Sequence, residues 1–331
     1  MRFFITGCNG LVGSYIARKL LAEGAEVSAL KREQSSFEYI QDIADKIAWH
    51  HGDILDVMSL EQPILEADFV IHCAGFVSFA SKDYSKMFKV NVEGTANLVN
   101  GCLKYGQKKL LYISSVAALG TNDRQEVIDE TQEWDDANIS SKYGYTKFMG
   151  ESEVWRGHSE GLDVIVVNPS VVFGRGEWGR SSLALIKYAA SSPIFYPTGD
   201  VNYIDARDLA DIIFQLIDRK IYNKRFIASA GKESYYRVME IVSKEMGTKA
   251  PSLKFNKTAA FIALQTAKLM AFFKGILQTG NQKREVQPKL SKELIKNSTR
   301  KTFFDNKKIV ETLDFKFRKL EDTLTWLVSK N

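Results

Sequence analysis

The sequence contains very little cysteine. Cys8, Cys73 and Cys102 are the only cysteines in 331 residues, and their spacing does not match that of a metal site. An odd number of cysteines cannot pair completely in disulfides, so we expect reduced thiols. The first strand already begins at Arg2, with no secretory signal ahead of it, and we therefore expect a cytoplasmic protein.

The sequence also lacks a strong excess of charge of either sign. Its formal net charge is +5, and 26% of its residues are charged. This balance does not argue for a nucleic-acid partner, although it fits a modest preference for anionic ligands. We expect a small-molecule substrate and no nucleic acid. The hydrophobic content of 45% is typical of a globular protein, and the length allows one large lobe or two unequal ones.

A convincing membrane span is missing as well. The stretch Thr258–Leu277 is rich in Ala, Phe, Leu and Met, but it carries Gln265, Lys268 and Lys274. A span needs about 20 mostly apolar residues. We predict a helix that packs in the core or lines a pocket, and we expect no membrane association.

The N-terminus combines a strand, a glycine turn and a helix. Arg2–Thr6 is a short apolar run, and Gly7, Gly10 and Gly13 follow it at G-x-x-G-x-x-G spacing before the amphipathic stretch Leu11–Glu23. Glycine permits a tight turn, and the start of a helix favours an anion such as a pyrophosphate. The residues predicted to bind a dinucleotide here are Gly7, Asn9, Gly10, Leu11, Val12 and Gly13.

Strands alternate with helices as far as Pro169, which predicts a parallel, doubly wound α/β sheet. Further strands are predicted at Ala25–Leu30, Ile47–Gly52, Asp68–Gly75, Lys108–Ser115 and Val164–Asn168, and helices at Val90–Tyr105 and Ser140–Trp155. Beyond Gly174 the alternation weakens. Helices are predicted at Tyr203–Arg219, Arg237–Gly247, Thr258–Gly275 and Glu321–Val328, with one returning strand at Arg225–Ala230. We expect a dinucleotide-binding domain of residues 1–173 plus about 203–230, and a smaller, mostly helical substrate lobe of residues 174–202 and 231–331.

The end of the second predicted strand bears on cofactor choice. NAD-selective folds place an acid there for the ribose 2′-hydroxyl, whereas NADP-selective folds place a cation for the 2′-phosphate. This chain has Lys31 and Arg32, and no carboxylate precedes Glu33 in the segment. The pattern favours NADP(H) over NAD(H); the alternative is a pair of solvated surface cations.

Three residues form a candidate catalytic set. Tyr143 and Lys147 lie four residues apart and would share a helix face, while Ser115 follows the fifth strand at the ligand-binding edge of the sheet. A phenol with a pKa near ~10 is a poor acid or base at neutral pH unless a nearby cation favours its phenolate. Lys147 is placed to supply that cation.

The sequence resembles the extended short-chain dehydrogenase/reductases of the NAD-dependent epimerase/dehydratase kind, and within them the dihydroflavonol reductase and hydroxysteroid dehydrogenase-like branch. The resemblance covers essentially the whole chain and is densest from Met1 to Gly174. The motifs that carry it are Thr6–Gly13, Gly52-Asp53-Ile54, His72-Cys73-Ala74-Gly75, Asn91-Val92-Glu93-Gly94-Thr95, the Ser115, Tyr143 and Lys147 set, and Asn168–Gly174.

The resemblance implies a role for each motif. Tyr143 would be the general acid/base, Lys147 would lower its pKa and hold the nicotinamide ribose, and Ser115 would polarise the substrate oxygen. Ser115 is preferred to Ser114 because it lies five residues before Gly120, as in the pattern of the family. Asn91, the fourth residue of the implied catalytic set, would support the active-site helix and, as in some members of the family, take part in a proton relay. The remaining cofactor contacts implied are Asp53 and Ile54 at the adenine, Cys73, Ala74 and Gly75 along the cofactor, and Pro169 and Val172 beside the nicotinamide. Asn168 departs from the usual arginine.

Three functions remain open from the sequence. The first is an NADP(H)-dependent reductase or dehydrogenase that exchanges its cofactor, and the second is a nucleotide-sugar epimerase that keeps NAD bound. The third is a non-catalytic dinucleotide sensor, which has no need of a positioned phenol. Dehydratase activity is disfavoured because Val116-Ala117, not an Asp-Glu pair, follows Ser115.

The substrate pocket and the oligomeric state complete the expectations. The predicted pocket segments are Ala80–Phe88, Trp178–Leu185, Ile194–Pro197 and the C-terminal helices, with Phe76, Phe79, Trp178, Phe195 and Tyr196 as aromatic lining. Such a lining suits a ring-bearing or lipid-like carbonyl compound, unless these residues fill the core between the lobes. The resemblance also implies a homodimer through Asn91–Tyr105 and Ser140–Trp155.

Overall fold

The computed structural model describes residues 1–106, 109–120, 126–134, 141–176, 178, 183–255, 298–299 and 301–329. In chain order the strands are β1 (Arg2–Thr6), β2 (Glu26–Lys31), β3 (Ile47–His51), β4 (Phe69–His72), β5 (Lys109–Ile113), β6 (Val127–Ile128), β7 (Asp163–Pro169), β8 (Val171–Phe173), β9 (Phe195–Pro197), β10 (Asp200–Asp205), β11 (Lys224–Ala228), β12 (Gly231–Ser234), β13 (Leu253–Phe255) and β14 (Phe303–Phe304). The α-helices are α1 (Leu11–Ala22), α2 (Met58–Glu66), α3 (Tyr84–Phe88), α4 (Gly94–Lys104), α5 (Lys142–Ser159), α6 (Leu183–Ala190), α7 (Ala206–Asp218), α8 (Tyr235–Glu245), α9 (Lys307–Leu313) and α10 (Leu320–Val328). A π-helical turn, Lys89–Glu93, joins α3 to α4.

A seven-stranded sheet forms the centre of the molecule, in the order β11-β7-β5-β4-β1-β2-β3. Every neighbouring pair in it is parallel; Ile5 of β1, for example, is in register with Ala29 on one side and Ile71 on the other. Since all seven strands run the same way, their carboxyl ends meet at one edge, where open α/β sheets bind ligands.

Both faces of this sheet are covered by helices. Side chains of successive strand residues point to opposite faces. Ile5 of β1 packs in a core cluster that holds residues of α1 and α7, whereas its neighbour Phe4 packs in a second cluster with residues of α2, α4 and α5. The predicted Rossmann-type, doubly wound fold is therefore confirmed.

The structure differs from the predicted elements in two places. Met58–Glu66 is a helix that we did not predict, and it contains Pro63. The predicted helix Tyr203–Arg219 is part strand and part helix, because β10 runs to Asp205 between β8 and β12 before α7 begins. The Asp205 carboxylate marks the boundary, since it caps the new helix by accepting the Arg207 N–H at 2.8 Å.

The C-terminal part of the chain packs around a separate core. Its small sheet, in the order β12-β10-β8, lies with α6, α8 and α10, and the cluster includes Phe173, Ile186, Val238 and Leu324. Two further pairs of strands, β13 with β9 and β14 with β6, are also parallel. The predicted helix Thr258–Gly275 lies outside the described residues. No helix in the part of the chain that the structure describes is long and apolar enough to cross a membrane.

Candidate active site

The turn between β1 and α1 has no room for side chains. Gly7 adopts a φ of 70°, and a Cβ on it would lie 2.6 Å from the main-chain nitrogen of Ala74. A Cβ on Gly13 would lie 2.3 Å from the carbonyl oxygen of Gly7. Gly10, at the start of α1, offers no side chain to cap the first N–H groups of the helix. This backbone cradle at the positive end of a helix fits the pyrophosphate of a dinucleotide.

Asn9, Leu11 and Val12 lie in the turn and in the first turn of α1. The Asn9 side-chain amide donates to the carbonyl oxygen of Ser36 at 3.1 Å, which ties the glycine turn to the loop after β2. Leu11 and Val12 pack against the core on the α1 side of the sheet. Their main-chain N–H groups, not their side chains, are therefore the groups offered to an anion.

Lys31 and Arg32 lie at the same edge of the sheet as the glycine turn, because β2 is the parallel neighbour of β1. The Lys31 ammonium lies 4.3 Å from the ring centroid of Phe37, within cation–π distance. Arg32 is exposed. Lys31 ends β2, and the loop that begins at Arg32 continues to Ser36, where Asn9 holds it.

Asp53 and Ile54 follow β3 at this edge. The Asp53 carboxylate accepts the N–H of Leu55 at 3.0 Å, which shapes the turn. Ile54 is buried, and a Cβ on Gly94 would lie 2.8 Å from its side chain. Ile54 is thus a packing residue against the start of α4, and Asp53 is the member of the pair with a polar group at the edge.

Cys73, Ala74 and Gly75 follow β4 and lie against the glycine turn. The Cys73 N–H donates to the Thr6 carbonyl oxygen at 3.0 Å. Burial raises the pKa of the Cys73 thiol, and it raises that of Cys8 to about 12, so neither is a thiolate at neutral pH. Within the described residues, no cluster of three or more His, Cys, Asp or Glu side chains is arranged to hold a metal ion.

A buried histidine links the glycine turn to the helix that carries Asn91. His72 Nδ1 lies 2.6 Å from Thr6 Oγ1, and Nε2 lies 3.0 Å from Thr95 Oγ1. The Thr95 hydroxyl donates to the Asn91 carbonyl and Thr6 Oγ1 accepts the Ala74 N–H, so one tautomer, with the proton on Nε2, satisfies the whole chain. Burial lowers the pKa of His72 to about 3, which keeps the ring neutral.

Asn91 lies in the π-helical turn and is buried. Its side-chain oxygen accepts the N–H of Phe76 at 2.7 Å, and its amide nitrogen donates to the Phe76 carbonyl and to Thr146 Oγ1, both at 3.0 Å. Asn91 therefore fastens the loop after β4 to α5. These are the contacts that the predicted support of the active-site helix requires.

The first turn of α5 packs on the main chain that follows Ser115. Ser141 caps the helix by accepting the Gly144 N–H at 2.7 Å. A Cβ on Gly144 would lie 2.6 Å from the carbonyl oxygen of Ala117, so glycine permits this close approach. The approach brings Tyr143 within hydrogen-bond reach of Ser115.

Burial dominates the proton affinity of Tyr143. It raises the pKa of the phenol to about 12, and the hydrogen bond with Ser115 opposes that rise. We expected Lys147 to lower this pKa, but in the structure burial outweighs any such effect. The phenol is consequently protonated at neutral pH.

Lys147 lies one helical turn further along α5 and is buried. Its ammonium donates to the Ile113 carbonyl oxygen at 2.9 Å and lies 4.2 Å from the ring centroid of Tyr112. Burial lowers the pKa of Lys147 to about 7, while the charge of Glu151 opposes that fall. The structure thus groups Lys147 with Ser115 and Tyr143 at the end of β5.

The motif that begins at Asn168 lies beside this group. The Asn168 amide donates to the main-chain oxygen of Ser115 at 3.0 Å and to Glu151 at 2.8 Å. Pro169 ends β7, and Val172 is buried in β8. Glu151 did not emerge from the sequence as a site residue, although its position four residues after Lys147 is a signal that could have found it.

The predicted aromatic lining is divided. Trp178 and Tyr196 pack against the core of the C-terminal part, as filling residues do. Phe195 is 44% exposed and lies 6.0 Å, centroid to centroid, from Phe255 on β13. Phe76 is the aromatic residue that the structure fastens to the site, through Asn91.

Comparison with known proteins gives three kinds of match. The NAD dependent epimerase/dehydratase family matches residues 3–226. A Synechocystis sp. protein named provisionally as a dihydroflavonol 4-reductase is 32% identical over 213 residues, which are 63% of this chain and 60% of that protein. The chain therefore spans less than two thirds of that relative. Cinnamoyl-CoA reductase 1 of Petunia hybrida is 27% identical over 256 residues, 72% of this chain and 76% of that protein.

Solved structures have the same fold. The crystal structure of gox2253 superposes with a TM-score of 0.81 at 25% identity and covers 98% of this chain and 96% of that one. The Bordetella bronchiseptica enzyme WbmH, solved in complex with NAD+, superposes with a TM-score of 0.75 at 18% identity, again over 98% and 96%. The second likeness is one of fold alone.

Proposed function

Since the chain belongs to the NAD-dependent epimerase/dehydratase family, we propose that it is an NADP(H)-dependent oxidoreductase that reduces the carbonyl group of a small, apolar or ring-bearing substrate. The observation that carries the proposal is the grouping of Ser115 with a protonated Tyr143 and with Lys147, which lies one helical turn further along α5. A protein that only senses a dinucleotide has no use for a half-buried phenol grouped with a serine and a lysine.

The cofactor fits the edge that the structure presents. The cradle of Gly7, Gly10 and Gly13 would hold its pyrophosphate, and Asp53 and the segment Cys73–Gly75 lie along the same edge. The chemistry that the nicotinamide supplies when bound is hydride transfer.

The residues of the chain handle the proton. The Ser115 hydroxyl donates a hydrogen bond to the substrate oxygen, and Tyr143 gives that oxygen its proton as negative charge develops there. A phenol with a pKa of about 12 is protonated at neutral pH, which favours the reduction direction. An ammonium has three donors; Lys147 uses one on Ile113, which leaves N–H groups for the hydroxyls of a ribose.

The preference for NADP(H) rests on Lys31 and Arg32. Both lie at the end of β2, where a ribose 2′-phosphate is expected, and no carboxylate precedes Glu33 there. The preference for reduction is supported by two relatives that are named as reductases. The substrate class follows from Phe76 beside the site and from those names.

The alternative is a nucleotide-sugar epimerase that keeps NAD bound, since the family includes epimerases. Val116-Ala117 after Ser115 leaves no extra acid/base for a dehydratase. The two functions differ in how they treat their cofactor, because an epimerase returns the hydride to its substrate, whereas a reductase must exchange a spent cofactor.

Titration of the purified protein with NADPH and with NADH tests the proposal, after an aliquot has been denatured to look for retained nucleotide. We expect tight NADPH binding, weaker NADH binding and no retained NAD. Copurified NAD with little response to NADPH would contradict the proposal and make nucleotide sugars the first substrates to try.

A further inference from the structure

A buried carboxylate lies on the same face of α5 as Tyr143 and Lys147. Glu151 follows Lys147 by four residues, as Lys147 follows Tyr143, and residues at this spacing are neighbours on a helix. Glu151 is only 2% exposed. A buried carboxylate is costly unless donors surround it, so its retention here calls for an explanation.

Donors from β7, from β11, from the residue after β5 and from α5 itself surround Glu151. Its Oε1 accepts from Arg225 Nε at 2.7 Å and from Trp155 Nε1 at 3.3 Å. Its Oε2 accepts from Ser114 Oγ at 2.6 Å and from Asn168 Nδ2 at 2.8 Å. Ser114 follows β5, Asn168 lies in β7 and Arg225 in β11, three neighbouring strands of the central sheet. Glu151 therefore cross-links this side of the sheet to the helix that carries the phenol.

These contacts reach the main chain of Ser115. Ser114, the residue before Ser115, gives its hydroxyl to Glu151, and Asn168 donates to both Glu151 and the Ser115 carbonyl oxygen. The turn Ser114-Ser115 is thus held against α5 both by the Ser114 side chain and by Asn168. Where the resembling motif carries arginine, this chain has Asn168, and a guanidinium reaches the network from Arg225 on the adjacent strand.

The charge of this carboxylate also acts on Lys147, because it raises the pKa of that ammonium against the effect of burial. The other titratable groups near that ammonium are the Tyr143 phenol on its own helix, the Cys73 thiol and the neutral His72 ring at the end of β4, and Tyr112 on β5. None of these is an anion at neutral pH. Glu151 is therefore the negative charge that α5 itself sets beside Lys147.

We propose that Glu151, anchored by Arg225, is a positioning residue of this site: it holds the Ser115 turn against α5 and supplies the negative charge that keeps the buried Lys147 a cation. The inference deepens the proposed function and rests on it for its catalytic consequence. Its electrostatic part concerns Lys147 alone and can be measured without any substrate.

The test substitutes Glu151→Gln, which keeps the shape and removes the charge. The titration of Lys147 is followed by NMR of ¹³Cε-labelled lysine, with the resonance assigned by its loss in Lys147→Arg. We expect the titration midpoint to fall by about one pH unit or more, the size of effect that one nearby charge produces. Glu153→Gln is the matched control, because Glu153 lies on the same helix but pairs with Arg156 at its partly exposed surface.

Two further variants keep the inference falsifiable. Glu151→Asp keeps the charge and should return the Lys147 midpoint to the native value. If Glu151→Gln does not fold, Ser114→Ala removes a single donor, and we expect kcat to fall severalfold with unchanged NADPH affinity. A folded Glu151→Gln with a native Lys147 midpoint, or a Ser114→Ala variant with native kcat, would overturn the inference. A shifted midpoint in a protein that reduces no carbonyl would leave the electrostatic role standing and contradict the proposed function instead.

Discussion

The two sides of the ligand-binding edge are built from opposite materials. Around β1 the site is made of main chain, with glycines at Gly7 and Gly13 because any side chain would collide with backbone. Around β5, β7 and β11 it is made of buried polar side chains that satisfy one another, with Glu151 at the centre. The first side binds through main chain that a side chain would obstruct, so side-chain atoms added there should weaken cofactor binding. The second positions groups by charge and hydrogen bonds, so removal of a group should damage it.

The largest expected effect is a loss of turnover on the side of the site that is built from polar side chains. Tyr143→Phe removes the proton donor and should lower kcat by about 10²–10⁴-fold, the usual contribution of a general acid. NADPH affinity should stay nearly native, because the cradle lies on the other half. The readout is the oxidation of NADPH with a ring-bearing aldehyde or ketone. Tyr145→Phe, two residues along α5, is the control, and unchanged turnover in Tyr143→Phe would remove Tyr143 from the mechanism.

On the main-chain side, the addition of one methyl group should reduce both stability and cofactor binding. Gly13→Ala sets a Cβ 2.3 Å from the Gly7 carbonyl oxygen and 2.8 Å from the Cys8 Cα, and backbone cannot yield as a flexible side chain would. We expect a loss of about 1–3 kcal/mol of stability and weaker NADPH binding, measured by urea unfolding and by titration. Gly231→Ala is the control, since its nearest neighbour would be 3.6 Å away. Equal effects of the two substitutions would show that the cradle is less tight than the structure indicates.

His72 joins the two halves, and its pKa gives a pH prediction. The pKa is 6.5 in the unfolded chain and about 3 in the folded one, so between these values the unfolded state binds more protons. The free energy of unfolding should therefore fall as the pH drops through this window, by up to about 1.4 kcal/mol for each pH unit. Urea unfolding across the window should show a shallower acid slope in His72→Gln. Identical slopes in the two proteins would contradict a neutral, buried His72.

The smallest expected effect is on cofactor choice. Arg32→Ala should weaken NADPH binding about tenfold and leave NADH binding nearly unchanged, because only NADPH carries a phosphate for the guanidinium to bind. Lys46→Ala removes another exposed cation, just before β3 at the opposite edge of the sheet, and should change neither affinity. An equal loss of affinity for both cofactors in Arg32→Ala would show that Arg32 does not bind the 2′-phosphate.

The same contrast explains how far the sequence could predict the molecule. The glycine turn and the central strands follow local rules of spacing and periodicity, so β1, α1 and the fold class were predictable. Met58–Glu66 was missed, and Asp205 ended a strand inside a predicted helix, because sheet pairing outweighed the apolar pattern there.

The rest of the site depends on contacts between distant parts of the chain. Glu151 and Arg225 pair across 74 residues, and no local pattern joins them. The protonated state of Tyr143 follows from burial, which the spacing of Tyr143 and Lys147 does not reveal. Trp178 and Tyr196 looked like pocket residues in the sequence, and the structure packs them against the C-terminal core.

In the proposed reaction, hydride passes from the cofactor to a carbonyl carbon while Tyr143 supplies the proton. The most direct measurement incubates the protein with NADPH deuterated at C4 and a panel of ring-bearing aldehydes and ketones, followed by mass spectrometry of the products. We expect one deuterium on the new alcohol carbon, with stoichiometric formation of NADP+, and loss of both in Tyr143→Phe. Two results together would contradict this reaction. With every carbonyl compound, no NADP+ is formed and no deuterium enters the product, and protein that retains NAD interconverts nucleotide sugars.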